Sequence, residues 1–222
     1  MVGCQLPSSE GDVSTLIVGD VHGCSDELNR LLSLVNAHRV IFVGDLFTKG
    51  PDPVGVWHII SDIGADAVLG NHDVRLLRTA SSEHSDKHAR AVCQSLDRTG
   101  AEWRTWLTSC PLHLDLGEYF VVHAGIHPFE GVAGTSQKMA TTMRRWPMND
   151  HDAPKWHEQY QADKGVVFGH DARQGLVWRT RRGQPWLVGL DTGCVYGGAL
   201  SGFIVEEHRC IQVNAQCAYR PV

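Results

Sequence analysis

Gly19-Asp20-Val21-His22-Gly23 follows the apolar run Thr15-Leu16-Ile17-Val18, and how that junction is read decides the fold. A β-strand that stops at Asp-x-His, between glycines that let the backbone turn tightly, presents a carboxylate and an imidazole together at one sheet edge. That is half of a metal site. Later strands end in the same way: Val40–Val43 runs into Gly44-Asp45, Ala67–Leu69 into Gly70-Asn71-His72-Asp73, and Tyr119–Val122 into His123-Ala124-Gly125. Val166–Phe168 runs into Gly169-His170. Five strand ends thus each bring a polar ligand type to what the pattern predicts is one place.

The chain has 222 residues, enough for one compact α/β domain with a sizeable core, and residues 1–222 read as a single domain with 1–13 as a flexible N-terminal segment. A formal net charge of -5 excludes a broad electrostatic grip on nucleic acid, which needs many cations facing the phosphates. Seven cysteines, with no Cys-x-x-Cys, favour reduced thiols in a cytoplasmic protein over a disulfide framework or a thiolate zinc site. The polar N-terminus lacks a signal pattern, and the apolar runs are far below the ~20 residues of a membrane span.

Taken in order, the chain opens as strand, helix, strand. Ser25 is the expected N-cap of a helix burying Leu28, Leu31, Leu32 and Val35 on one face. Pro53 starts a second helix, and a third follows Asn71. Thr79 to Arg90 reads as an exposed connection, and residues 89–107 as one helical stretch ended by Pro111. Leu112–Leu116 and Glu118–Val122 read as an antiparallel pair, and a short helix is expected near Gln137–Arg145. The tail carries strands at Val166–Phe168, Leu176–Thr180, Trp186–Leu190 and Ala199–Glu206. Helices early and antiparallel strands late predict two mixed sheets packed face to face with helices outside.

Taken singly, each strand-end motif has a plainer reading: Gly-Asp is a common turn, and Asn71-His72-Asp73 also suits a helix cap. The weight lies in the set. Asp20, His22, Asp45, Asn71, His123 and His170 supply carboxylate, amide and imidazole donors with no thiolate, which suits hard or borderline divalent ions. Six side chains are too many for one ion with open positions. They suit two ions sharing a carboxylate, which can together bind both oxygens of an in-line phosphoryl displacement.

Those motifs, in order and spacing, resemble the calcineurin-like metallophosphoesterases of the PPP group. Gly169-His170-Asp171-Ala172-Arg173-Gln174-Gly175-Leu176 and the stretch Leu190–Gly198 are similar to the diadenosine-tetraphosphatase and ApaH-like branch. The resemblance spans Leu16 to about Val205 and implies a four-layer α/β fold. It also implies that Asp20, His22 and Asp45 hold one ion, that Asp45, Asn71, His123 and His170 hold the other, and that Asp45 bridges them. A metal-bridging hydroxide would attack phosphorus directly. His72 would be the general acid or a hydrogen-bond donor to phosphate, making His72 and Asp45 the catalytic pair. The implied cofactor is two divalent ions, manganese foremost, with iron, zinc, cobalt, nickel or magnesium as the other options.

The second motif departs from the protein-phosphatase pattern Gly-Asp-x-Val-Asp-Arg-Gly. Thr48 stands where the His-supporting Asp would be and Lys49 where the phosphate-gripping Arg would be; Asp73 is the expected substitute support. Lys49 keeps the charge without the planar fork of Arg. Asn71, Lys49 and one of the pair Arg144 and Arg145 are the expected phosphate contacts, with Arg173, Arg179, Arg181 and Arg182 as weaker candidates. Trp146, Trp156 and Tyr196 are possible base-stacking residues. The resulting expectation is a hydrolase of phosphoanhydride bonds in small nucleotide-type polyphosphates such as diadenosine tetraphosphate. The alternatives are a protein Ser/Thr or Tyr phosphatase, a polyphosphatase or RNA-cap-cleaving enzyme, and a non-catalytic nucleotide sensor.

Overall fold

The computed structural model describes residues 14–79 and 86–220. The expected N-terminal segment and residues 80–85 of the expected connection lie outside them. Among the described residues, ten strands form two sheets of five. The first sheet has the order β10 (Arg209–Asn214), β9 (Ala199–Ile204), β1 (Thr15–Val18), β2 (Arg39–Phe42), β3 (Asp66–Ala67). The second has the order β4 (His113–Asp115), β5 (Tyr119–Val122), β6 (Gly165–Phe168), β8 (Gln184–Gly189), β7 (Val177–Arg181).

The sheets are mixed. β1 pairs parallel with β2, and β2 with β3; β5 pairs parallel with β6, and β6 with β8; the remaining pairs are antiparallel. Alternation along each strand sorts the side chains into layers. Ile17 and Ile41 pack between the sheets with Val121, Val167 and Val188. Their neighbours Leu16, Val18 and Phe42 face outward onto Leu28 and Leu31 of α1 (Ser25–Ser33) and Val56 and Ile60 of α2 (Pro53–Ile63). On the far side, Val166 and Phe168 pack on Ala140 of α6 (Gln137–Thr142) and Trp156 of α7 (Trp156–Gln159). Strands buried on both faces read as continuous apolar runs. Each fully buried aliphatic side chain contributes roughly 1.5–3 kcal/mol to this four-layer packing.

Three local expectations are corrected. Ser25 is the first residue of α1, with Cys24 at the cap position; its hydroxyl instead donates to Asp52 Oδ2 at 2.7 Å, while Asp52 caps α2. Residues 89–107 are not one helix: α4 (Lys87–Asp97) and α5 (Glu102–Ser109) flank Gly100, whose φ of 121° no right-handed helix accommodates. The edge strand β10, absent from the sequence-based strand set, follows a turn in which His208 takes φ 50°. The expected helix after Asn71 is present as α3 (Asn71–Thr79), which begins at Asn71 itself. Among the described residues, no helix is long and apolar enough to cross a membrane.

Candidate metal centre

Parallel pairing aligns the carboxyl ends of β1, β2 and β3 in one sheet and of β5, β6 and β8 in the other. The loops leaving those ends carry Asp20, His22, Asp45, Asn71, His123 and His170 into one cluster. Their backbone is unusual there: His22, Asp45, Lys49 and His170 take φ of 48°, 55°, 75° and 74°, a region that costs non-glycine residues of order 1–3 kcal/mol each. Two glycines permit the close approach. A Cβ on Gly70 would collide with the Asp45 carboxylate, and one on Gly169 with the Asp20 carboxylate.

Asp45 sits at the junction. His22 Nε2 lies 3.5 Å from its Oδ2 and His123 Nε2 lies 3.5 Å from its Oδ1, while the His72 amide donates to Oδ1 at 2.9 Å. One donor atom from each of His22, Asp45 and His72 falls within 4.8 Å of the others, as does one from each of Asp20, Asp45 and His123. On the outer side, Asn71 Oδ1 is 3.1 Å from His123 Nε2 and 3.0 Å from His170 Nδ1. Donor atoms bound at ~2.1 Å and at right angles around one ion stand ~3 Å apart, so this is the spacing of neighbouring ligands.

The protonation of His123 leaves room for a cation. Its Nδ1 donates to the Val43 carbonyl at 2.9 Å, which fixes the tautomer and turns an Nε2 lone pair inward. Burial pushes His123 down to about 3, so Nε2 carries no proton at neutral pH. With the Asn71 amide oxygen on this side, two acceptors face each other at 3.1 Å, an arrangement that a shared cation turns from repulsive to favourable. The Lys49 ammonium plays the same part at His22, donating to Nε2 at 2.8 Å.

The carboxyls agree. Burial raises Asp45 to about 7, against the opposing His72 amide bond and Lys49 charge. Burial, then Asp191 and Asp45, push Asp20 well above the usual range. Several acids crowded out of water are stable as anions only beside positive charge. The imidazoles shift the other way: burial first, then Lys49, takes His72 down to about 3 and His22 well below its ordinary value. Burial and His123 take His170 down to about 2. Neutral imidazoles are the form that binds metal.

A cavity of about 350 Å³ opens on the cluster, lined among others by Asp45, His72, Lys49, Arg144, Arg173 and Tyr196. Of the phosphate candidates, Lys49, Asn71, Arg144 and Arg173 reach it. Arg145 does not: it is tied to the Ala153 carbonyl and pairs with Lys155 in an isolated bridge. Arg179 bonds the His157 carbonyl, and Arg181 and Arg182 face Asp163. Trp156 is in the core and Trp146 stacks edge-on against His127, so of the three aromatics only Tyr196 lines the cavity, with Lys49 Nζ 5.3 Å from its ring centre.

The expected support of His72 by Asp73 is also corrected. Asp73 is fully buried, and its carboxylate accepts from the backbone amides of Asp45 (2.7 Å), Gly70 (3.0 Å) and Leu46 (3.1 Å). It holds the two turns that present Asp45 and Asn71. The Thr48 hydroxyl faces His22 Nδ1 at 3.5 Å. Two acids carry no role in the sequence reading. Asp191, after β8, is buried and raised to about 6, chiefly by burial. Asp171, after His170, stays below the usual range: the bond and charge of Lys155, with Arg144, outweigh its burial. The strand-then-Asp pattern at Leu190-Asp191 was the available signal for the first.

The profile of the calcineurin-like phosphoesterase family matches residues 13–205. The chain belongs to this family. It is a metallophosphoesterase, a class that uses a divalent metal centre, and the donors just described are its candidate metal-binding residues. Among relatives, the symmetrical bis(5'-nucleosyl)-tetraphosphatase of Psychromonas ingrahamii is 39% identical, with 85% of this chain and 92% of that one covered. The protein of the same name from Vibrio cholerae is 28% identical, with 85% and 94% covered. A crystal structure of a proposed diadenosine tetraphosphatase superposes with a TM-score of 0.78 at 31% identity, covering 93% of this chain and 95% of that one.

Proposed function

We propose that this metallophosphoesterase, read as one domain over residues 1–222, hydrolyses phosphoanhydride bonds in nucleotide-type polyphosphates, with a dinucleoside tetraphosphate as substrate. The observation that carries this reading is the gathering of His22, His123, Asn71, His170 and Asp20 around Asp45, opening into a cavity edged by Lys49, Arg144 and Tyr196. The names of the relatives support the substrate. Two ions, manganese foremost, would be held by Asp20, His22 and Asp45 and by Asp45, Asn71, His123 and His170. When bound, they supply Lewis acidity to the phosphoryl oxygens and activation of water.

The chain's own residues do the rest. Lys49 and Arg144 neutralise the phosphates at the cavity edge, and the Tyr196 ring offers a face for a base. His72, neutral near pH 7 because burial takes it down to about 3, donates its single N–H to the phosphate or leaving oxygen. Water adds to phosphorus as the bridging P–O bond breaks, the nucleoside diphosphate leaves as an anion met by the cationic edge, and the water's proton passes to solvent. A second cavity of about 500 Å³, lined by Asn71, Arg75, Arg78 and Lys138 among others, adjoins the centre and suits the far arm of a polyphosphate. The six described cysteines are free, which supports a reducing, cytoplasmic setting.

The test is product release by the purified chain, stripped and reloaded with Mn, Co, Mg or Zn. Substrates are diadenosine tetraphosphate, inorganic polyphosphate, capped RNA, a phosphopeptide and p-nitrophenyl phosphate. Two ADP per diadenosine tetraphosphate, lost in Asp45→Asn, is the expected result. Turnover of the phosphopeptide and aryl phosphate alone would transfer the chain to the protein-phosphatase reading. Nucleotide binding without turnover under any metal would make it a sensor.

A further inference from the structure

Beneath the catalytic loops lies a second donor cluster with no part in phosphoester chemistry. Cys24 follows the turn that carries His22, Glu27 is in the first turn of α1, and Cys194 follows the loop that carries Asp191. One donor atom from each lies within 4.8 Å of the other two, and the residues are 0%, 0% and 2% exposed. Two thiols alone would count as small core hydrophobes. The carboxylate is what that reading leaves unexplained.

Glu27 uses only one of its oxygens. Oε1 accepts from the Gln216 amide and the Tyr219 hydroxyl, each at 2.9 Å, and faces Arg30 at 3.5 Å. Oε2 is buried with no hydrogen-bond partner among the described residues. An acceptor in apolar surroundings with nothing to accept from is costly, and the missing partner would be electropositive. The donors on hand, two sulfurs and a carboxylate oxygen, are those of a thiophilic divalent cation. Tetrahedral zinc asks for ligand atoms ~3.3–3.8 Å apart, inside the 4.8 Å that bounds the present spacing, and three protein ligands leave its fourth position to a water.

We propose that Cys24, Glu27 and Cys194 form a buried zinc-type site, separate from the catalytic pair. The bound cation pins the turn after His22 to α1 and to the loop between Asp191 and Tyr196. Through Glu27 Oε1 it also anchors the C-terminal segment carrying Gln216 and Tyr219. Binding releases the protons of both thiols to solvent, with no change of oxidation state. This inference stands apart from the choice of substrate.

The experiment measures metal per chain by mass spectrometry after growth with zinc and dialysis against a weak chelator. Asp45→Asn serves as the background that weakens the catalytic centre. Expected is about one zinc per chain retained in Asp45→Asn, and a sulfur-to-cobalt charge-transfer band when cobalt replaces it. Both should vanish on adding Cys194→Ser. Glu27→Gln, which keeps the side chain's shape, should weaken the retained ion at least ~10-fold, and circular dichroism and melting of each variant show that it folds. Asp45→Asn that holds no ion and shows no cobalt–thiolate band would overturn the proposal. So would a folded Cys194→Ser or Glu27→Gln chain with wild-type zinc content, or a Cys24–Cys194 disulfide in metal-free protein.

Discussion

Replacing Asp73 separates a positioning role from a proton-transfer role. Its carboxylate makes three buried bonds to backbone amides, two through Oδ2 (Asp45 and Gly70) and one through Oδ1 (Leu46). Asp73→Asn with its amide oxygen at the Oδ2 position keeps two bonds and turns an NH₂ group onto the Leu46 N–H. The cost is the Leu46 N–H left unsatisfied and facing another donor, at least about 1–3 kcal/mol. Asp73→Ala strands all three, roughly 3–9 kcal/mol, reduced by removal of a carboxyl that burial and the neighbouring Asp45 charge raise to about 7. For a chain of 222 residues each kcal/mol moves the melting temperature by ~2–4 °C, so Asn should lower it by ~2–12 °C and Ala by more. Because the three amides belong to the turns presenting Asp45 and Asn71, metal affinity should fall in the same order. Scanning calorimetry with and without metal, alongside titration of the stripped protein, reads both. An Asp73→Ala chain that melts within ~1 °C of wild type and binds metal as tightly would refute the reasoning. An unchanged fold and metal affinity with only an altered acid limb of the pH–rate profile would restore Asp73 as a support for His72.

Asp45→Asn removes the carboxylate shared by both donor clusters, and phosphate release should fall at least ~100-fold with loss of both catalytic ions, read by mass spectrometry after dialysis against a weak chelator. Metal uptake should strengthen with pH. Asp45 is held up at about 7 by burial, so it binds a proton at pH 6 that must leave when the ion enters. Affinity should therefore be ~10-fold lower at pH 6 than at pH 8 from this group alone, with proton release visible by calorimetry in buffers of different ionisation enthalpy. The same raised value means that, in the metal-free chain, the Asp45 contribution to stability is full below about pH 4 and lost as pH rises through about 7. The His123 contribution, with its value lowered to about 3, is present above pH 6.5 and lost on acidification. Chemical denaturation of stripped protein across pH 4–8, with His123→Asn as comparison, resolves the two. Arg144→Ala should raise KM ~10-fold with little change in melting, whereas Arg145→Ala should leave KM within twofold and cost ~1 kcal/mol through its lost bond to the Ala153 carbonyl.

Much of this centre is legible in the linear chain because strand ends are local events. An apolar run followed by Gly-Asp or Gly-His needs no long-range information to be read, and parallel neighbours bring such ends to one edge. Gly19–Gly23, Gly44-Asp45, Gly70–Asp73, His123 and Gly169-His170 therefore mark the candidate donors and the packed-sheet fold from sequence. What the tertiary structure alone decided are matters of direction and burial. Whether Arg144 or Arg145 faces the cavity depends on which one is captured by the Ala153 carbonyl. Asp73 serves backbone amides instead of His72 because helix α3 turns its carboxylate under the Asp45 loop. Asp191 joins the centre because β8 lies beside β6, a pairing separated by a hairpin in the chain. Local residue types set which chemistry is available; sheet order and burial, summed over the whole chain, set which groups meet and with what charge.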